Sequence, residues 1–490
     1  MAALSFSYLF YQSNSGVNLL LFEGLLVLSI HFAHLKNSWS LFRWLTSGAF
    51  LLTAIAYQFN VSEWTLFVNL VSGVMVVGAA LEPTARSFWT VARLGAFNSV
   101  AAGFQFLHDL IKEDAFKVRG ISKTLRFYYM MAPLAIIVLF VLIYRGSNPV
   151  FDGYMAGMFD GLDRWVEWAS QYLNWQWIGV FVLGMIISVL AMVHVIPVRI
   201  VDSDALASMT MKRVRVKFMR GVSLMVLKNE WLAGMFLLVC LNLLLAVVNA
   251  IDVYWVWFNF EWQGEYLKQF VHEGTYLLIL SILISVAIVL FFFRKNLNFY
   301  SRSIWLRRLC YLWLAQNIIL SISVVVRNIH YINHFALASK RIGILFFLAL
   351  VIFGIATVLI KVRDKKSAFY LFHWNTLSVF VVVVISALPN WQRIIATYNF
   401  SHYTQSFLHL DYLASFDPEA IPYTDYSLEE LQTMEALQRQ KFPFEERYMT
   451  AEEYHNVLKD KKTRFQEKME GSTWKEWTWA KQKAIDHLNR

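Results

Sequence analysis

The chain has 490 residues; 58% are hydrophobic, 17% aromatic and only 16% charged. Its mean hydropathy is +0.46. Soluble domains are less apolar and more charged than this, and a chain with eight prolines and no low-complexity tract is not disordered, so the class is a multi-pass membrane protein.

The net charge of +10 is uneven. Residues 391–490 carry 13 Lys and Arg against 16 Asp and Glu, a balance of −3, which leaves +13 on residues 1–390. The positive excess therefore belongs to the apolar part, where basic loops set orientation. Nucleic acid is not an expected partner. The two cysteines, Cys240 and Cys310, lie inside apolar runs and read as small core residues. No CxxC is present, and no metal or cofactor is expected.

In chain order, the opening MAALSFSYLFYQSNSG has no basic start and no cleavage site, and reads as a retained end. A helix crossing the hydrocarbon needs about 20 apolar residues. Ten segments come close: 15–34, 39–58, 62–81, 127–144, 176–196, 230–250, 271–293, 309–326, 342–361 and 368–388. The weaker run at 88–108 contains Arg93 and Asn98 and reads as an interfacial helix. Between 148 and 175, Phe151, Met155, Met158, Leu162, Trp165 and Trp168 recur every three or four residues, the pattern of an amphipathic helix lying on the membrane. Beyond 390 the chain is polar and helical in pattern. Ser427 and Glu430 there have capping-box spacing. The expected fold is all-α: about ten transmembrane helices plus a helical extramembrane C-terminal domain. Its parts are residues 1–144, an outer interfacial helix at 145–175, a core bundle at 176–390 and the C-terminal domain at 391–490.

Loop charges alternate. Residues 109–126 hold five Lys and Arg, 197–229 seven, 294–308 five and 361–366 four, against two in 145–175, one in 251–270 and three in 327–341. The rich loops belong in the cytoplasm. Both termini then face outward, to the periplasm if the bilayer is a bacterial inner membrane. Arg294 and Lys295 anchor the inner end of the segment 271–293, and His272 and Glu273 sit at its outer edge.

Ionisable groups in a spanning segment are functional candidates. Glu23 is one; a cation such as Arg43 or Arg93 would neutralise it, or it binds a proton or substrate. A second candidate is an outer cluster of His272, Glu273, Asp252, Arg327, Asn328, His330 and Arg341, with His334 nearby. The simpler reading of Glu273 is an acid at a helix start. HExxH is absent, since position 276 is Tyr, so a zinc protease is unsupported. Asn242 and Asn249 share one helix face, and Asn317 and Ser321 another. They are interhelical hydrogen-bonding groups or the walls of a polar pathway. Trp474, Trp477 and Trp479 are candidates for contact with lipid or a protein partner, or for the core of the tail. No phosphate-binding loop, dinucleotide fingerprint or GxSxG is present, so an enzyme is not the leading expectation. An envelope assembly or signalling partner is; a transporter or lipid-handling protein is the alternative.

Several stretches carry a family resemblance: VHEGTYLLILSI, FFFRKNLNFY, LRRLCYLWLAQNIILSISVVVRNIHYI, KRIGILFFLALVIFGIATVLIKV, NWQRIIATYNF and, at 409–422, HLDYLASFDPEAIP. Together they resemble a bacterial family catalogued as a domain of unknown function, number four-one-seven-three, seen mostly in Bacteroidota. GVNLLLFEGLLVL in the first half matches more loosely, and 450–490 departs from the pattern. The resemblance implies an inner-membrane protein and assigns no catalytic residue.

Overall fold

A computed structural model describes residues 2–33, 40–112, 174–213, 222–260, 264–294, 296–300, 302–443 and 445–489, with single positions between 141 and 153. The expected span at 127–144 and the amphipathic helix at 148–175 lie outside the described residues.

Every named element among the described residues is helical. In order come α1 Ala2–Phe10, α2 Val17–Ala33, α3 Leu41–Phe59, α4 Glu63–Leu81, α5 Phe88–Lys112, α6 Trp175–Met192, α7 Val198–Leu206 and α8 Val222–Asp252. A π-helical turn, Val253–Phe258, extends α8. Then follow α9 Gly264–Phe292, α10 Ser303–Phe335, α11 Ser339–Asp364 and α12 Ala368–Ala387. The C-terminal region holds α13 Trp391–Ser401, α14 Leu410–Ala414, α15 Ile421–Thr424, α16 Leu428–Lys441, α17 Ala451–Glu470 and α18 Trp479–Leu488. An isolated bridge joins Thr210 and Lys366.

Side chains set many helix starts. Ser40, Ser62, Ser367 and Asn390 accept from the backbone N–H three residues on. Ser427 and Thr450 form complete capping boxes with Glu430 and Glu453. Among the described residues, six helices are long and apolar enough to cross a membrane: Glu63–Leu81, Trp175–Met192, Leu227–Phe258, Ser303–Phe335, Ser339–Asp364 and Ala368–Ala387. Val17–Phe32 and Tyr276–Phe292 are shorter apolar helices. α3 stays outside the six because it carries Arg43, Thr46, Ser47, Thr53 and Gln58, all buried.

The chain divides into two compact units, residues 1–14 with 97–195, and residues 15–96 with 196–490. In the first, α1 packs on α6. The Asn98 side chain closes the end of α6, donating to Leu190 O at 2.9 Å and accepting from Val195 N–H at 2.9 Å.

In the second unit, α2, α3 and α4 pack together, and α8, α9 and α10 form a bundle continued by α11 and α12. The start of α5 crosses α4 backbone to backbone. A Cβ at Gly78 would stand 2.2 Å from Val91 O, and one at Gly95 2.3 Å from Val74 O, so only glycine fits at either point. One end of this unit is clasped by Asp204, which accepts from Arg86 N–H at 2.7 Å and the Thr90 hydroxyl at 2.6 Å. At the same kind of basic turn, the buried Lys361 ammonium donates to Phe293 O and Lys366 O.

At the opposite helix ends sits the C-terminal region. Its core joins Phe400, Leu413, Leu431, Tyr454 and Leu458 to Ile342 of α11. Tyr454 is fully buried and donates to Thr424 O at 2.9 Å. The apolar surface that this short domain needs is thus provided by its own bundle.

Candidate functional site

The α8–α10 contact is built on a heptad. Leu238, Asn242, Leu245, Asn249, Asp252 and Val256 follow one another at alternating spacings of four and three, and all are buried. Trp313, Gln316, Leu320, Ser323 and Arg327 on α10 repeat the same spacing and are also buried. The helices run parallel, and a ladder of polar contacts climbs between them. Gln316 donates to Asn242 Oδ1 at 2.8 Å, and Asn242 to Leu309 O at 3.2 Å. Asn249 donates to Gln316 O at 3.1 Å. Higher up, Asp252 accepts from Arg327 Nη2 at 2.5 Å and from the Ser323 hydroxyl at 2.7 Å. His330 Nε2 lies 2.9 Å from Val256 O, and its ring stacks on Phe260.

The Asp252–Arg327 pair is almost wholly buried and lies where α8 passes into its π-helical turn. Such turns mark sites where a helix is locally re-aimed. Two amide oxygens along the seam, Asn249 Oδ1 and Gln316 Oε1, and a third beside it, Asn317 Oδ1, face no donor among the described residues. Asn317 and Ser321 behave differently from the rest. They hydrogen-bond back to Trp313 O and Asn317 O of their own helix.

The outer cluster separates into two groups. Asp252, Arg327 and His330 belong to the seam. Asn328 and Arg341 brace the α10–α11 turn instead. Asn328 donates to Arg341 O at 3.0 Å, while Arg341 Nη1 donates to Phe335 O at 2.6 Å and also to Ala336 O. Ala336 has φ 60°, a region that disfavours a Cβ, and Asn399 pins the next residue, with Leu337 N–H donating to its side chain and its amide donating back. His334, in the last turn of α10, meets Glu445 at 3.1 Å. The side chains of His272 and Glu273 lie outside the described residues. The helix that holds them begins at Gly264, so Glu273 is interior to α9 and is not the acid at its start.

Glu23 is buried between α2, α3 and α4. Its carboxylate accepts from Asn69 Nδ2 at 2.9 Å, and the same amide nitrogen lies 3.1 Å from Thr53 Oγ1. The expected cation is not its partner. Arg43 donates to His31 Nδ1 at 3.0 Å and to Ile30 O at 3.3 Å, and Arg93 reaches Thr90 and Ser203. Asn69 and Thr53 went unread in the sequence, because an amide in a neighbouring helix neutralises nothing and so shows in no charge pattern. Of the cysteines, Cys310 is core, but Cys240 is exposed on α8.

The end of the chain returns to the first long helix. Val17 N–H donates to Trp477 O at 3.0 Å, and the Lys481 ammonium, buried, donates to Glu476 O at 2.9 Å and Ser15 O at 3.4 Å. A Cβ at Gly16 would stand 2.4 Å from the Glu476 carbonyl carbon. Trp474, Trp477 and Trp479 are 57%, 40% and 56% exposed, so they are not the core of the tail. Trp479 lies beside Phe59 at the end of α3.

Next to this junction is a cleft of about 600 Å³. The α3–α4 turn contributes Tyr57, Val61, Glu63 and Leu66; the turn at 417–419 contributes Asp417 and Glu419; α17 contributes Lys461, Arg464, Phe465 and Lys468; and Lys481 comes from α18. Burial, reinforced by Asp417, pushes the Glu419 carboxyl above its usual range.

A chain that is helical throughout its described residues, with six membrane-length apolar helices among them and a buried ion pair between two of these, is a membrane-embedded helical protein. It belongs to the family described as Domain of unknown function (DUF4153), matched over residues 1–426. The resemblance read from the sequence carried the number four-one-seven-three, while the family that matches is four-one-five-three. The match also reaches well beyond the 271–422 stretch that carried that resemblance most strongly. No curated protein and no solved structure matches the chain.

Proposed function

We propose that this is a bacterial inner-membrane protein of ten spans with both termini on the periplasmic side, acting as an envelope assembly or signalling partner through its C-terminal domain. One observation carries the reading: three exposed tryptophans stand on a region held to the start of α2 by the Val17–Trp477 backbone hydrogen bond and to Ser15 by the Lys481 clamp. Exposed aromatics on a fixed platform are the usual anchors of an interface. The loop charges support the orientation; a reporter joined after Leu388 that reads cytoplasmic overturns it. The partner role is tested by mild-detergent purification from native membranes with mass spectrometry, comparing the chain with a Trp474→Ala/Trp477→Ala/Trp479→Ala variant. A stoichiometric protein present with the first and absent from the second is expected. A solitary protein in both cases removes the reading.

A second reading, transport or lipid handling, is favoured by Glu23. A carboxylate held among three helices by an amide rather than a cation is a group that can take up a proton within the membrane. Glu23→Gln tests it: unchanged growth and unchanged lipid composition of the membrane end this reading.

A further inference from the structure

The cleft beside the α3–α4 turn carries opposite charges on different elements. Its cations come from α17 and α18, and its acids mainly from the 417–419 turn and the start of α4, with Asp460 of α17 at the edge. Two of the cations are already committed. Lys461 donates to Ala414 O at 2.6 Å and Phe416 O at 2.5 Å, and Lys481 donates to Glu476 O and Ser15 O. Arg464 and Lys468 are exposed and hold no hydrogen bond or ion pair among the described residues. On the acidic side, Asp417 accepts from Gln392 at 2.6 Å, which leaves Glu63, Glu419 and, beside the cations on α17, Asp460; Glu63 and Glu419 stand across from Arg464 and Lys468 on other elements.

An anion alone would enter beside Glu63 and Glu419, and a cation alone beside Arg464 and Lys468. A zwitterion satisfies both sets, since complementary charge selects the partner whose own charges match. Between the charged groups the lining is apolar, from Tyr57, Leu66 and Phe465. The cleft opens at the ends of α3 and α4, where Phe59, Trp64 and Trp479 are exposed. Aromatic rings at helix ends mark the headgroup level of a bilayer.

We propose that this cleft binds the headgroup of a zwitterionic phospholipid of the phosphoethanolamine type, with the phosphate at Arg464 and Lys468 and the ammonium at Glu419 and Glu63. Arg464 supplies a planar fork suited to phosphate oxygens, and Lys468 a point charge. A primary ammonium donates three hydrogen bonds to the acids, which a quaternary one cannot. The acyl chains leave along the apolar side of the α3–α4 turn. The site goes beyond the partner reading and does not need it.

The test is native mass spectrometry on the full chain in mild detergent, titrated with phosphatidylethanolamine, phosphatidylglycerol and phosphatidylcholine of one acyl composition. Phosphatidylethanolamine should bind best, and its affinity should fall by about tenfold or more in Arg464→Glu/Lys468→Glu. Glu419→Gln should lower it less and narrow the preference over phosphatidylcholine. Lys459→Glu, exposed on the same helix but outside the cleft, should bind as the unaltered chain does. Equal binding by the Arg464/Lys468 variant, or a preference for phosphatidylglycerol, overturns the proposal. Soluble glycerophosphoethanolamine is the second arm. If it binds as tightly as the lipid, the ligand is a small solute and the lipid assignment fails.

Discussion

The α8–α10 seam and the C-terminal domain are specified by opposite means. Between α8 and α10 the positions that face the partner helix include Asn242, Asn249 and Asp252, matched by Gln316, Ser323 and Arg327. In the C-terminal region the buried core positions include Phe400, Leu413, Leu431 and Leu458, with Lys481 buried at its junction with the residues before α2. The difference is the one expected between a lipid-facing and a water-facing region. Lipid tails are as apolar as leucine, so apolar burial gives two membrane helices little reason to choose one register. A polar group that finds its partner in only one register does give that reason. In water the apolar side chains themselves drive assembly.

Changes that remove one member of a pair should separate these two regimes. Arg327→Ala leaves Asp252 buried with only the Ser323 hydroxyl and should destabilise the bundle by about 3–5 kcal/mol, read as loss of protein from a detergent thermal-stability assay. Replacing Asp252 and Arg327 together by leucine should recover most of that loss. If it does not, the pair has a role beyond register. Leu458→Ala in the C-terminal core should cost about 2–4 kcal/mol, and proteolysis should then release the domain while the bundle stays folded. If the bundle unfolds with it, the two regions are one cooperative unit.

Smaller effects sharpen the contrast further. Asp425 accepts from Lys462 at 2.5 Å and His487 at 2.9 Å, tying α17 and α18 to the end of α15. Burial alone would raise this carboxyl, but the hydrogen bonds from Lys462 and His487 hold it below its usual range. An acid whose folded pKa is depressed contributes stability that is present above its unfolded pKa and lost as pH falls through the folded one. Asp425→Asn should therefore cost about 1 kcal/mol at neutral pH, and the difference should begin to shrink below about pH 3.9 and vanish once the pH has fallen through the lower folded pKa. A penalty unchanged with pH would mean that shape, not charge, matters there. Asn242→Leu should be the mildest change, about 1 kcal/mol or less, detected as altered cross-linking register between α8 and α10.

Much of this was legible in the sequence. The apolar runs gave the long helices, and Ser427 with Glu430 announced a helix start that the structure repeats at Thr450 and Glu453. The seam was only half legible. Asn242, Asn249, Asn317 and Ser321 stood out as polar residues at helical spacing, but the alternating three-and-four spacing through Gln316, Ser323 and Arg327 identifies the seam better than polarity does, because it also leaves out Asn317 and Ser321. Asn69 as the partner of Glu23 lies 46 residues away. Pairings of that kind depend on how two hairpins close, which no local pattern records. The same holds for Arg43, whose charge suggested a partner acid while its geometry chose His31 and a backbone carbonyl.

The contact of Gly16 with the backbone of Glu476 also fixes an order of events in biogenesis. Residues 16 and 476 abut, so the end of α2 stays unsealed until the segment that holds Trp477 and Lys481 has been made. Until then Ser15 O lacks Lys481 and Val17 N–H lacks the Trp477 carbonyl. A chain interrupted before residue 470 would be inserted but not closed, and quality-control proteases would find its open end. Cysteines placed at 17 and 477 would time that closure in a pulse-chase: cross-linking should appear only after residues 474–488 have been made, and with a lag set by the folding of the C-terminal region.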